Sequence, residues 1–254
     1  MIHFEAVAPA LFVMGLCVGS FLNVVIARVP EGRSVVSPGS ACPRCKAEIQ
    51  WFDNVPLVSY ALLRARCRHC GEPISIRYPL VELVTGLLFV LAGWQAGLGV
   101  DLLPALVLLA TLVAITAIDL DRQLIPDVLS LPGIAAGLLL STLTGKPGWL
   151  DSLIGALVGG AIFFVIIVAS RGGMGGGDMK LGAMLGAFLG WKLVLVGIML
   201  SVLAGGVLAI VLLALRRRGR KDAVPFGPFL ALGGAVSLFW GQALLEWYLG
   251  VFAG

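Results

Sequence analysis

Charge is scarce in this chain: Asp, Glu, Lys and Arg make up 13% of the 254 residues, against 59% hydrophobic residues and a mean hydropathy of +1.02. That poverty excludes an ordinary soluble domain and identifies a polytopic membrane protein. Histidine is nearly missing, with only His3 and His69. No Ser/His or Cys/His arrangement therefore stands near the inner turns described below, which disfavours nucleophilic catalysis. No Gly-x-Gly-x-x-Gly follows a strand-like run, so the usual nucleotide-type fold is absent. Met1 to Leu11 contains no Lys or Arg; without the basic leader of a cleaved signal peptide, the first apolar run is expected to remain as an anchor.

The formal charge of +4 does not imply a nucleic-acid partner, because 16 of the 18 basic residues fall in four loops. These are Arg28 to Arg77, Arg122, Arg171 with Lys180, and Arg216 to Lys221. Only Lys146 and Lys192 lie in the loops between, and this asymmetry places the basic loops in the cytoplasm. The last cluster reads as a charged anchor for anionic lipid headgroups. The apolar runs are 7–29, 80–99, 102–118, 128–145, 150–170, 181–191, 193–215 and 226–252. Eight spans with both termini outside follow from the parity of the basic loops. The run 181–191 is short of the roughly 20 residues that a full crossing needs, so it is expected to be tilted, re-entrant or begun within the preceding glycines. In the first span, Cys17 reads as a small packing residue, Gly15, Gly19 and Ser20 as a face that admits a neighbouring helix, and Asn23 as a polar group reaching water.

Between Pro30 and Pro79 the composition turns polar and basic, marking a soluble insert. It holds Cys42-Pro43-Arg44-Cys45 and Cys67-Arg68-His69-Cys70, two Cys-x-x-Cys hooks with 21 residues between them. Two such hooks surround Zn²⁺ tetrahedrally, each presenting both thiolates from one side. A disulfide framework is the competing account, opposed by the reducing compartment that the insert's own basic residues assign to it. With four sulfurs present, His69 is a bystander and the zinc is structural.

Two acids end or begin apolar segments at the inner membrane boundary. Asp178 closes the glycine run Gly172-Gly173-Met174-Gly175-Gly176-Gly177 and precedes Met179-Lys180. Glycines permit unusual dihedrals and close approach, so Asp178 is open to a neighbour; the plainer account is a flexible loop whose aspartate caps a helix starting near Met179. The turn 119–127 offers three acids. Asp127 follows Pro126 and reads as a helix N-cap, Asp121 beside Arg122 as a solvated ion pair, and Asp119, directly after Ile118, as the acid that feels low dielectric. Asp119 and Asp178 brought together would hold one proton between them, giving a base to activate water and an acid to serve the leaving amine of an amide. The same acids could serve a proton-linked carrier, but the cysteine-bearing insert suits an enzyme that recognises a cytoplasmic peptide. Val224-Pro225-Phe226-Gly227-Pro228-Phe229 opens the last span, either as a shaped groove or as a simple helix start.

These segments together resemble the type IV prepilin peptidases. The resemblance rests on Gly19-Ser20-Phe21-Leu22-Asn23-Val24, the paired cysteine hooks, Arg77-Tyr78-Pro79-Leu80-Val81-Glu82, Ile118-Asp119-Leu120-Asp121, Leu124-Ile125-Pro126-Asp127, Gly175-Gly176-Gly177-Asp178-Met179-Lys180 and Pro225-Phe226-Gly227-Pro228. It implies that Asp119 and Asp178 are the catalytic pair of a GxGD-type intramembrane aspartic protease, with Gly175, Gly177 and Lys180 in support. It also implies cleavage of prepilins and pseudopilins at the cytoplasmic face of the bacterial inner membrane. N-methylation of the new terminus from S-adenosylmethionine would follow, an activity associated with the cysteine-bearing region; the donor's binding residues are not assigned. Lys180 orients the site, meets an acidic residue of the substrate, or anchors at the interface. The expected architecture is thus an all-α polytopic membrane protein of about eight helices. It comprises a first span at 1–29, a cytoplasmic zinc-binding insert at 30–78 holding Cys42, Cys45, Cys67 and Cys70, and a peptidase domain at 79–254. A proton-linked carrier and a noncatalytic secretion-assembly subunit are the alternatives.

Overall fold

The computed structural model describes residues 4–170, 174–215 and 225–252. The expectations for His3, Arg171 to Gly173, and the basic cluster Arg216 to Lys221 lie outside the described residues. Helices account for nearly all regular structure: α1 (Phe4–Arg28), α2 (Val58–Leu62), α3 (Arg77–Ala96), α4 (Leu102–Arg122), α5 (Asp127–Thr144), α6 (Trp149–Ala169), α7 (Gly176–Ala214) and α8 (Gly227–Phe252). Among the described residues the only β pairing is two isolated bridges. Seven of these helices, all but α2, are long and apolar enough to cross a bilayer, so the chain is a multi-pass membrane protein. It divides into two compact units, Met1–Leu102 and Leu103–Gly254.

In the first unit α1 packs on α3 through small residues, as Gly15 and Gly19 lead one to expect. A Cβ on either would come within 2.7 Å of the α3 backbone, at Gly86 and Glu82 respectively, so the two helices meet backbone to backbone. Two readings of α1 change here. Asn23 does not reach water: it is buried, and its Nδ2 donates to the Tyr78 carbonyl at 3.1 Å, because the tight crossing brings the start of α3 over it. Cys17 does not pack inward; it lies exposed on the helix surface, on the side away from the Gly15 and Gly19 contact.

The second unit is built around α7, which runs as one helix by hydrogen bonding but breaks at Gly190 (φ 76°, ψ 171°). A Cβ on Gly159 of α6 would touch both the Gly182 carbonyl and, at 3.3 Å, Val194 Cγ2. In a straight helix residues 182 and 194 would stand about 18 Å apart, so the chain folds back at Gly190. Adjacent residues of α8 repeat the pattern, Gly234 meeting Leu185 and Gly233 meeting Gly197 and Ser201. The two arms, 176–189 and 191–214, therefore give eight membrane segments from seven helices, and the short run 181–191 begins within the glycine run at Gly176. Ser152 donates its hydroxyl to the Ala187 carbonyl, a group whose i+4 partner lies beyond the break. Residues of both arms, including Leu181, Leu185, Val194 and Ile198, join Leu108 and Ile115 of α4, Phe163 of α6 and Leu230 of α8 in one buried core.

Candidate active site and metal centre

Asp119 lies in the last turn of α4 and Asp178 in the first turn of α7. Both are buried, at 5% and 9% exposure, whereas Asp121 and Asp127 are exposed. The carboxylates of Asp119 and Asp178 are close enough to interact electrostatically. Asp178 stands where a helix N-terminus presents its partial positive charge, which favours an anion. Asp119 stands at the opposite, unfavourable end of its own helix, and the compensation comes from α8: the Gly227 backbone N–H donates to Asp119 Oδ2 at 3.0 Å. That donor has no acceptor within its own helix, being the first of α8, and Pro228 behind it has no N–H to donate.

The start of α7 is seated by Gly177, where a Cβ would come within 2.8 Å of Ile125 Cβ in the turn between α4 and α5. Neither of the other described glycines of the run is so crowded: Gly175 leaves 3.9 Å to Asp178 Oδ2, and Gly176 has nothing within 4 Å. The Asp178 N–H donates to the Gly175 carbonyl at 3.2 Å, closing the first turn. Lys180 Nζ pairs with Asp127 Oδ1 at 2.5 Å, joining the start of α7 to the start of α5. Asp127 is thus not an N-cap: Pro126 occupies that position, and Asp127 is the first residue of α5. Phe226 stacks beside Phe163 and Phe229, with ring centroids 6.0 and 6.4 Å away, packing the entry to α8. The sequence marks the stretch that contains Gly227 as a possible groove, but not the contact of Gly227 with Asp119. Its signal was a Gly-Pro pair opening a span, which leaves one backbone donor free at the membrane boundary.

In the first unit the two cysteine hooks fold alike. Cys42 N–H bonds the Ala47 carbonyl and Lys46 N–H the Cys42 carbonyl, while Cys67 N–H bonds Glu72 and Gly71 N–H bonds Cys67. Lys46 and Gly71, each four residues past the first cysteine, both take positive φ. Arg44 pairs with Glu72 across the two knuckles. The four sulfurs lie within 4.8 Å of one another, with Cys42 to Cys70 at 3.8 Å and Cys45 to Cys67 at 4.0 Å. Thiolates ~2.3 Å from a tetrahedral zinc stand ~3.8 Å apart, so the cluster fits a metal ion. The cysteines are unbridged, and the disulfide account has no support. Hydrogen bonds from the Cys45 and Arg44 backbone lower the Cys42 thiol to about 6. At Cys70 the Glu72 N–H acts downward, but burial and the neighbouring sulfurs together push the thiol up to about 11. His69 is exposed and outside the cluster, as expected.

The chain is similar to known proteins over most of its length. Residues 13–96 match the bacterial peptidase A24 N-terminal domain, and residues 106–210 match the type IV leader peptidase family. Among named relatives, the prepilin leader peptidase/N-methyltransferase of Myxococcus xanthus is 49% identical over 84% of this chain and 66% of its own length. The proteins of the same name from Aeromonas hydrophila and Pseudomonas aeruginosa are 41% and 39% identical, over 94% and 100% of this chain and 92% and 99% of theirs. No solved structure matches the chain.

Proposed function

Because the chain belongs to the type IV leader peptidase family, we propose that it removes the leader of type IV prepilins and pseudopilins and then N-methylates the new terminus, as its relatives are named for doing. The observation that carries the peptidase half is the buried pair Asp119 and Asp178, each at a helix end and within electrostatic reach of the other. Two carboxylates in low dielectric hold one proton between them. The ionised one takes a proton from water as the water oxygen attacks the scissile carbonyl carbon. The protonated one hydrogen-bonds the carbonyl oxygen, then gives its proton to the departing amine as the C–N bond breaks. No covalent enzyme intermediate forms. Gly227 and the Lys180–Asp127 pair position the two acids.

Cys42, Cys45, Cys67 and Cys70 would hold Zn²⁺, which would supply a structural cross-link. S-adenosylmethionine supplies the methyl group; no residue of this chain is assigned to it. The distribution of basic residues supports a bacterial inner-membrane protein whose insert and aspartates face the cytoplasm.

Incubation of purified protein with a prepilin leader peptide, with and without S-adenosylmethionine, followed by mass measurement, separates cleavage from methyl addition. Asp119→Asn and Asp178→Asn are each expected to lower cleavage by about 10²–10⁴-fold, the usual worth of a general acid or base. Full cleavage by either variant removes the dyad; no cleavage by the unaltered enzyme removes the peptidase reading itself.

A further inference from the structure

The insert carries an apolar surface that neither the metal cluster nor the aspartates use. Trp51 is 80% exposed and Leu62 78%, and Phe52, Val55 and Val58 are exposed beside them. They belong to one rigid piece, the 3-10 turn Trp51–Asn54 followed by α2. Ser59 ties it together, its hydroxyl donating to the Phe52 carbonyl at 2.8 Å and accepting from Val55 N–H at 3.1 Å. Trp51 sits edge-on to Phe52, ring centroids 5.7 Å apart. Arg68 lies over the Phe52 ring, 5.5 Å from its centroid, while making a forked pair with Asp53 at 2.8 and 2.5 Å.

Its depth decides what covers this surface. The Leu57 N–H donates to Glu82 Oε2 at 2.9 Å, and Glu82 is a buried residue inside the membrane-spanning helix α3. Glu82 is five positions beyond Arg77, so Leu57 reaches a group about 7.5 Å along the span from its first residue. Leu57 holds φ 59°, ψ −45° to make that contact, a conformation that an L-residue adopts only where its surroundings impose it. The turn between the 3-10 element and α2 is thus held at the level where α3 enters lipid. Just beyond it, Arg64 and Arg66 carry exposed guanidiniums with no carboxylate partner among the described residues, whereas Arg44 and Arg68 are taken up by Glu72 and Asp53.

We propose that the segment from Trp51 to Leu62 is a membrane-surface anchor, inserted at the headgroup–acyl boundary of the leaflet from which α3 starts. Its apolar side chains enter the acyl region, and Arg64 and Arg66 meet the phosphates of anionic lipid. An aromatic and aliphatic face followed by unpaired basic residues is the chemistry that such a boundary selects. The anchor fixes the height of the metal-bearing knuckles against the bilayer, where a lone 50-residue insert would otherwise swing on its two connections.

The test uses the full-length protein in vesicles containing anionic lipid brominated near the top of one acyl chain. The fluorescence of Trp51 is obtained as the wild-type signal minus that of Trp51→Phe. It is expected to be blue-shifted, to lose about half its intensity in brominated vesicles, and to lose about a tenth or less to aqueous iodide. Val58→Asp with Leu62→Asp should reverse both responses, with metal content confirming that the knuckles remain folded. Arg64→Gln with Arg66→Gln should remove the dependence on anionic lipid. Quenching by iodide and not by bromine would show the segment in water, and quenching by neither would show it covered by protein. Protection that appears only when a leader peptide is added would make it a substrate surface. Each of these three outcomes overturns the anchor.

Discussion

Asp119 lies in the last turn of α4, where the helix's own carbonyls face a carboxylate with partial negative charge. The Gly227 N–H offsets that repulsion, and it does so only because nothing larger than hydrogen stands on Gly227: a Cβ there would lie 2.5 Å from Asp119 Oδ2 and 3.0 Å from Cγ. Gly227→Ala should therefore displace the carboxylate and lower kcat/KM for leader cleavage roughly 10²-fold, the cost of misplacing a reacting group by about 1 Å. The backbone donor survives in this variant, so a full-rate Gly227→Ala enzyme beside an inert Asp119→Asn would show that the contact positions nothing. At this scale the sequence discloses residues whose role is local. Ile118 next to Asp119 singles it out from Asp121 and Asp127 as the buried acid, and two Cys-x-x-Cys spacings mark the four sulfurs that cluster. Gly227 stays hidden because its partner is 108 positions away. Asn23 and Lys180 are harder still, since a polar side chain at a membrane boundary reads the same whether it meets water or a distant partner.

At the scale of elements, α7 shows why run lengths mislead. An unbroken helix of 39 residues would be about 58 Å long, nearly twice the hydrocarbon core; the break at Gly190 makes two usable arms of it. Hydropathy places the boundary at Lys192, the nearest charge, because a left-handed glycine between apolar neighbours leaves no mark in a hydrophobicity profile. Gly176 and Gly177 look like part of a loop for the opposite reason: glycine is a poor helix former, and a tertiary contact, Gly177 against Ile125, seats this end of the helix. Gly190 occupies a backbone region nearly closed to other residues, and a Cβ would also come within 3.0 Å of Pro147 Cβ. Gly190→Ala is expected to destabilise by about 1–3 kcal/mol, read as a lower unfolding temperature of the detergent-solubilised protein; an unchanged temperature would mean that the turn tolerates a side chain. The knuckles are a second element whose fold depends on one interaction. Their bridges are single pairs, Ala41 with Glu48 and Arg66 with Pro73, too few to hold 30 residues without the cross-link at their centre. Cys42→Ser should take bound zinc from about one equivalent to near zero and open the 42–70 region to proteolysis. Metal retained at full stoichiometry would remove the four-sulfur assignment.

For the molecule as a whole, sidedness is the property that a sequence states most directly, because it depends on counting basic residues rather than on packing. With Lys180 and the Arg216 cluster both assigned to the inner side, the count also requires a return between them; what it cannot give is the residue at which the chain turns, because one long helix and a folded pair have the same composition. The contacts of Gly159 with both Gly182 and Val194 decide for the pair, and the choice has a consequence across the bilayer. If the arm 176–189 crosses, Lys192 emerges on the same side as Lys146, opposite Gln123 in the turn after α4. If α7 were one straight span, Lys192 would be buried at mid-membrane. Single cysteines placed at these three positions, with Cys17 replaced by Ser and the four insert cysteines left in place as a constant background, can be probed with a membrane-impermeant maleimide. Lys146→Cys and Lys192→Cys should label in cells whose inner membrane is intact, and Gln123→Cys only after that membrane is permeabilised. Labelling at 146 without labelling at 192 would leave the short arm inside the bilayer. The eight-segment topology, and with it the return of the chain's end to the side where it began, would then be lost.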